Sequence, residues 1–142
     1  PGGEDVRVAA YDMRSLAASK VSCLCSDRRE AVRDLFDLDL LIRMDAQPAE
    51  LLAELGRGQL ERYLGNLWDK VEKLDWAAAR ESLMFALPPK VADRFDEDVW
   101  EEMRVGVGVR VEQWLREALE IRDAEDAPEV GAEADLAGGT AP

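Results

Sequence analysis

The 142-residue sequence contains no histidine and only two cysteines, Cys23 and Cys25. Without histidine, a histidine general base and a Ser-His-Asp triad are both excluded. A lone Cys-x-Cys with no imidazole and no second cysteine pair falls short of the four ligands of a structural zinc site. The two thiols are therefore read as reduced cysteines on a helix. No apolar run approaches the roughly 18 residues of a membrane span, and no secretory leader precedes the first helix. The expected compartment is the cytoplasm, with no membrane partner. Glycine-rich phosphate loops, a nucleophile elbow and internal repeats are missing as well. Basic residues are scarce, 18 against 31 acidic, for a net charge of -13. Six carboxylates (Asp123, Glu125, Asp126, Glu129, Glu133 and Asp135) follow Arg122 with no Lys or Arg among them. They leave 25 carboxylates against 18 basic residues, or -7, in the first 122 positions. Such a field repels phosphate backbones and disfavours autonomous nucleic-acid binding.

What is present is ordinary globular material, 47% hydrophobic and 35% charged, at a length that suits one core. The patterning predicts a mainly α-helical bundle. Val6 to Tyr11 alternates briefly and reads as a short N-terminal β-strand. Since the chain starts with Pro1, a processed product or a fragment is expected. Asp12 is placed as N-cap of a first helix over about 13–26, with Leu16, Ala17, Val21 and Leu24 on its apolar side. A second helix is expected over about 30–44. Asp45 is placed as the cap of a short third helix, which Gly56-Arg57-Gly58 ends. Leu60, Tyr63, Leu64, Leu67, Trp68, Val71 and Leu74 give the clearest helical period in the chain. Asp75 caps the next helix, which Pro88-Pro89 ends. The last helix is expected over about 96–122, kinked where Gly106 and Gly108 interrupt it. The tryptophans and methionines read as core. The expected organisation is a strand-like segment at 1–11, a helical domain at 12–122 and a disordered acidic tail at 123–142.

The stretch Leu16–Arg43, LAASKVSCLCSDRREAVRDLFDLDLLIR, carries charge where a core wants carbon. Lys20 lies between Leu16 and Leu24 at helical spacing, and Asp37 lies among Leu38, Leu40 and Leu41. Two readings are open. In one, Lys20 and Asp37 form an interhelical salt bridge that fixes register, while Arg28 and Arg33 pair with Asp27, Asp34 or Glu30 around the turn. In the other they handle phosphate. A lysine ammonium is a compact point charge suited to a triphosphate, and a nearby carboxylate can orient it or act as base toward a hydroxyl.

The run of Lys20, Leu24, Arg28 and Arg33-Asp34-Leu35-Phe36-Asp37-Leu38 resembles the signature of the AbiEii/AbiGii family. These are bacterial nucleotidyltransferase-like toxins of abortive-infection and type IV toxin–antitoxin systems. Asp75-Trp76 and the long closing helix resemble that family's C-terminal helical half, so the likeness spans most of residues 12 to 120. The resemblance implies that Lys20 acts on nucleotide phosphates and Asp37 in catalysis, with Arg28, Arg33 and Asp34 in support. It implies a nucleoside triphosphate (NTP) as substrate, Mg2+ as cofactor, an antitoxin as partner and an RNA acceptor, a tRNA end in several relatives. The family's Gly-Ser motif and its pair of magnesium-binding carboxylates have no match here. Asp37-Leu38-Asp39 repeats that Asp-x-Asp only in letters, within a helix. The chain thus reads as the C-terminal portion of such an enzyme, with the metal-binding core upstream or on a separate chain. The alternative is a non-catalytic helical protein–protein interaction module, a degenerate relative of the family.

Overall fold

Six helices and their connections make up residues 2–26, 32–83, 88, 90 and 95–126, which the computed structural model describes. They are α1 (Gly2–Cys25), α2 (Val32–Arg43), α3 (Ala49–Ala53), α4 (Arg57–Lys73), α5 (Trp76–Leu83) and α6 (Glu97–Asp126). Four of them close a ring: α1 packs on α2, α2 on α6, α6 on α4, and α4 back on α1. The short α3 packs on α6 and α1, and α5 on α2 and α6. The expected mainly α-helical bundle is what forms.

Each helix turns its apolar stripe to the middle of the ring. Ala17, Val21 and Leu24 of α1 meet Leu35, Leu38 and Leu41 of α2 in one buried cluster. Leu60, Tyr63, Leu67 and Val71 of α4, and Trp100, Met103, Val107, Val111 and Leu115 of α6, complete it. Full burial of one such side chain contributes about 1.5–3 kcal/mol. This shared core holds the α1–α2 pair in place.

Several boundaries differ from those the sequence suggests. Residues 6–11 continue α1, which starts at Gly2, so the strand-like segment is helix and Asp12 is an interior, exposed position rather than a cap. The alternation is only Val6-Arg7-Val8, followed by two alanines that favour helix, and among the described residues there is no strand to pair with. Asp45 caps no third helix. It adopts the left-handed conformation, φ 62°, just past the end of α2. The amide of Ala46 bonds the carbonyl of Leu41 at 3.0 Å and that of Asp45 bonds Ile42 at 3.0 Å. That pair of bonds closes α2 as a Schellman motif. Of the three residues Gly56-Arg57-Gly58 only Gly56, with φ 91°, breaks the chain, since Arg57 and Gly58 belong to α4. Asp75 does cap α5, accepting from the amide of Ala78 at 3.0 Å, and Asp96 caps α6 through Val99 at 2.9 Å.

The glycine-rich middle of α6 is helical throughout, and the helix runs on to Asp126. Residues 123–126, assigned to the tail from sequence, are therefore its exposed last turn. The rest of that tail and Pro89 lie outside the described residues. Gly108 is buried against α4. A Cβ there would lie 2.6 Å from the ring of Trp68, whose Nε1 donates to Glu112 at 2.8 Å. Gly106, by contrast, faces open space.

Candidate functional site

Lys20 and the two aspartates of α2 meet because both helices turn the margin of an apolar stripe to the same seam. On α1, Lys20 adjoins the buried Ala17, Val21 and Leu24. On α2, Asp34 and Asp37 flank the buried Leu35 and Leu38, three residues apart and so on one side of the helix. The ammonium of Lys20 lies 3.0 Å from Oδ1 of Asp34 and 2.9 Å from Oδ2 of Asp37. The three side chains are 23%, 17% and 30% exposed, which makes the cluster semi-buried at the surface of the seam.

The hydrogen bond to Asp37 and then that to Asp34 raise the lysine pKa above its ordinary 10.5, against the opposing effect of burial. Lys20 is therefore a cation at any physiological pH and is no proton acceptor there. With two carboxylates to one ammonium, the cluster has a formal charge of -1. A polyanion that reaches Lys20 must displace a carboxylate or arrive with cations of its own.

Lys20, Asp34 and Asp37 are thus brought together, as the sequence suggested for the first and last. Asp34 is a direct partner of the lysine rather than of an arginine. Arg33 is exposed and makes no ion pair among the described residues, and Arg28 lies outside them. Asp39, the second carboxylate of Asp37-Leu38-Asp39, accepts from Arg43 at 2.9 Å. Residues i and i+2 of a helix do not share a face, so these two carboxylates serve different partners. Among the described residues no group of three or more metal-ligating side chains could hold a metal ion. The described carboxylates thus do not assemble a magnesium site.

The surroundings assign other groups to structural work. Burial pushes the Cys25 thiol up to about 12, so it is unsuited to nucleophilic chemistry near neutral pH. A cleft of about 990 Å³ opens between α5 and α6, lined by Asp75, Trp76, Arg80, Glu97, Glu101 and Arg104 among others. It does not include Lys20 or its partners. One contact next to the cluster had no signal in the sequence: Asn66 of α4 donates to the carbonyl of Cys25 at the end of α1, at 3.1 Å. A polar residue beside an apolar stripe is common, and its distant backbone acceptor leaves no pattern to read.

No helix among the described residues is long and apolar enough to cross a membrane. Neither a curated protein nor a solved structure matches the chain. A family model does: the nucleotidyl transferase AbiEii toxin of type IV toxin–antitoxin systems matches residues 1–102, from α1 into the first turns of α6.

Proposed function

The chain belongs to the AbiEii nucleotidyl transferase toxin family, and from that premise we propose that it supplies Lys20 and Asp37 to nucleotidyl transfer from an NTP to an acceptor, with a tRNA end as the candidate. One observation carries this reading: the lysine and the last aspartate of the motif meet at 2.9 Å across two helices. In the reaction an acceptor hydroxyl attacks the α-phosphorus, pyrophosphate leaves, and the hydroxyl proton passes to the carboxylate of Asp37. Lys20, held charged, follows the phosphate oxygens as negative charge builds on them. Asp34 keeps the ammonium oriented while Asp37 turns to the hydroxyl, and Arg33 and Arg28 act as supporting cations.

Mg2+, which the reaction class uses to neutralise phosphate charge, finds no ligand set among the described residues. Its carboxylates belong to a core upstream or on a separate chain, and an antitoxin is the further partner. One observation favours a second reading, a non-catalytic interaction module. Lys20 is already neutralised by two carboxylates, as a purely structural ion cluster would be.

The test is NTP- and Mg2+-dependent labelling of RNA by the complete protein, core included. Lys20→Ala and Asp37→Ala should each lower labelling about 100-fold or more while the helical content stays. The 142-residue chain alone should label nothing. Labelling by the complete protein that survives both substitutions would sink the roles given to Lys20 and Asp37, and no labelling by the unsubstituted protein together with loss of partner binding in the variants would support the interaction module.

A further inference from the structure

The last carbonyls of a helix have no partner within it and need donors from elsewhere. At the end of α1 the Ser26 amide reaches the carbonyl of Ser22 at 3.0 Å, and the Ser26 hydroxyl that of Cys23 at 3.2 Å. The carbonyl of Cys25 takes its donor from another helix: Nδ2 of Asn66 on α4, 41 positions away in sequence. Lys70 lies one turn further along the same side of α4. Its charge acts on Cys25, opposing the burial that raises the thiol. A cation near a helix C-terminus is favourable in its own right. So α4 presents an amide donor to the negative end of α1, with a lysine one turn further along.

That end is where the site is set. Lys20 precedes Cys25 by five residues, about 7.5 Å along the helix axis. The next described helix, α2, carries Asp34 and Asp37. The position of the α1 terminus thus sets how far Lys20 extends along the seam toward Asp34 and Asp37. Neither Asn66 nor Lys70 enters the ion cluster.

We propose that Asn66 is a positioning residue for the Lys20 site, acting through the C-terminus of α1; its bearing on catalysis rests on the reading of Lys20 given above. The bond to Cys25 holds the helix end against α4 so that the ammonium falls between the two carboxylates.

The geometry is read by competitive acylation of the folded chain near pH 8, with the rate at Lys20 compared with that at the exposed Lys73 by peptide mass. In Asn66→Ala the Lys20 rate should rise about tenfold, the change in free amine that a drop of one pKa unit gives, while Lys73 holds constant. Asn66→Gln, which keeps the amide, should stay near the parent rate. Should the alanine variant not fold, Asn66→Ser, whose hydroxyl is too short to reach the carbonyl, is read the same way. An unchanged Lys20 rate in a variant with a lowered melting temperature would overturn the proposal and leave Asn66 a plain structural anchor. Because acylation needs no turnover, it stands apart from the enzyme reading. If the complete protein keeps its activity in Lys20→Ala, that reading fails whatever the acylation rates show.

Discussion

Charged side chains satisfy one another at the α1–α2 seam, whereas at the α4–α6 seam Trp100 and Arg104 satisfy the backbone. Between α4 and α6, Trp100 Nε1 donates to the carbonyl of Leu74 at 2.7 Å, and Arg104 donates to those of Val71 at 2.8 Å and Glu72 at 3.1 Å. Those carbonyls lie at the end of α4, where donors within the helix run out. Trp100 and Arg104 thus complete the end of α4, and the fold accounts for them. Between α1 and α2, Lys20, Asp34 and Asp37 complete nothing but each other. A leucine or methionine at each position would serve packing at least as well. Charge that the fold does not require is where a function is best sought.

The largest effect should come from the seam that the fold requires. Trp100 is fully buried beside Leu74, and Trp100→Ala should cost about 3–5 kcal/mol. Denaturant unfolding that shows under ~1 kcal/mol would break the comparison at its strong end.

At the other seam, Lys20→Ala should cost no more than about 1 kcal/mol, because the partly exposed cluster is screened by solvent. The pH dependence sharpens this. A raised lysine pKa means that the stabilisation is fully present below the ordinary 10.5 and is lost as pH rises through the raised value. Melting temperatures of the parent chain should thus fall more steeply above pH 10.5 than those of Lys20→Ala. Parallel curves would mean that the cluster adds nothing to the fold.

The smallest effects belong to two glycines two residues apart on α6. Gly106→Ala meets open space and should gain up to about 1 kcal/mol from helix propensity. Gly108→Ala must push the Trp68 ring outward and break its bond to Glu112, which should cancel that gain or reverse it. Equal urea midpoints for the two variants would show that Trp68 yields freely and that the α4–α6 seam is looser than its bonds suggest.

How much of this was legible in the sequence varied with how local the cause was. The helical periods of α2, α4 and α6 predicted the bundle because an apolar stripe is written in the spacing of leucine, valine and tryptophan. The pairing of Lys20 with Asp37 followed from two charges on otherwise apolar stripes of adjacent helices, and from the family signature. Asp34 was harder, since the neighbouring Arg33 looked like its natural partner. Only the packed geometry turns Asp34 inward and leaves Arg33 outside. Asp45 misled because aspartate caps helix starts and also tolerates the left-handed turn that ends α2. Asn66, Arg104 and Gly108 could not be read at all. Their partners are carbonyls or an aromatic ring on other helices, and no spacing records them.

The ring of helices also sets an order of events in time. The final helix α6 packs on α2, α3, α4 and α5, and it brings Trp100, Met103, Val107, Val111 and Leu115 to the shared core. A chain still growing on the ribosome has made Lys20, Asp34 and Asp37 long before it has made these residues. Domains fold as units during synthesis. Until α6 has emerged, α2 lacks one of its two ring neighbours. The residues of the charged cluster are thus synthesised before the helix that completes their supporting core, which ties the settled geometry of the cluster to the completion of this helical bundle.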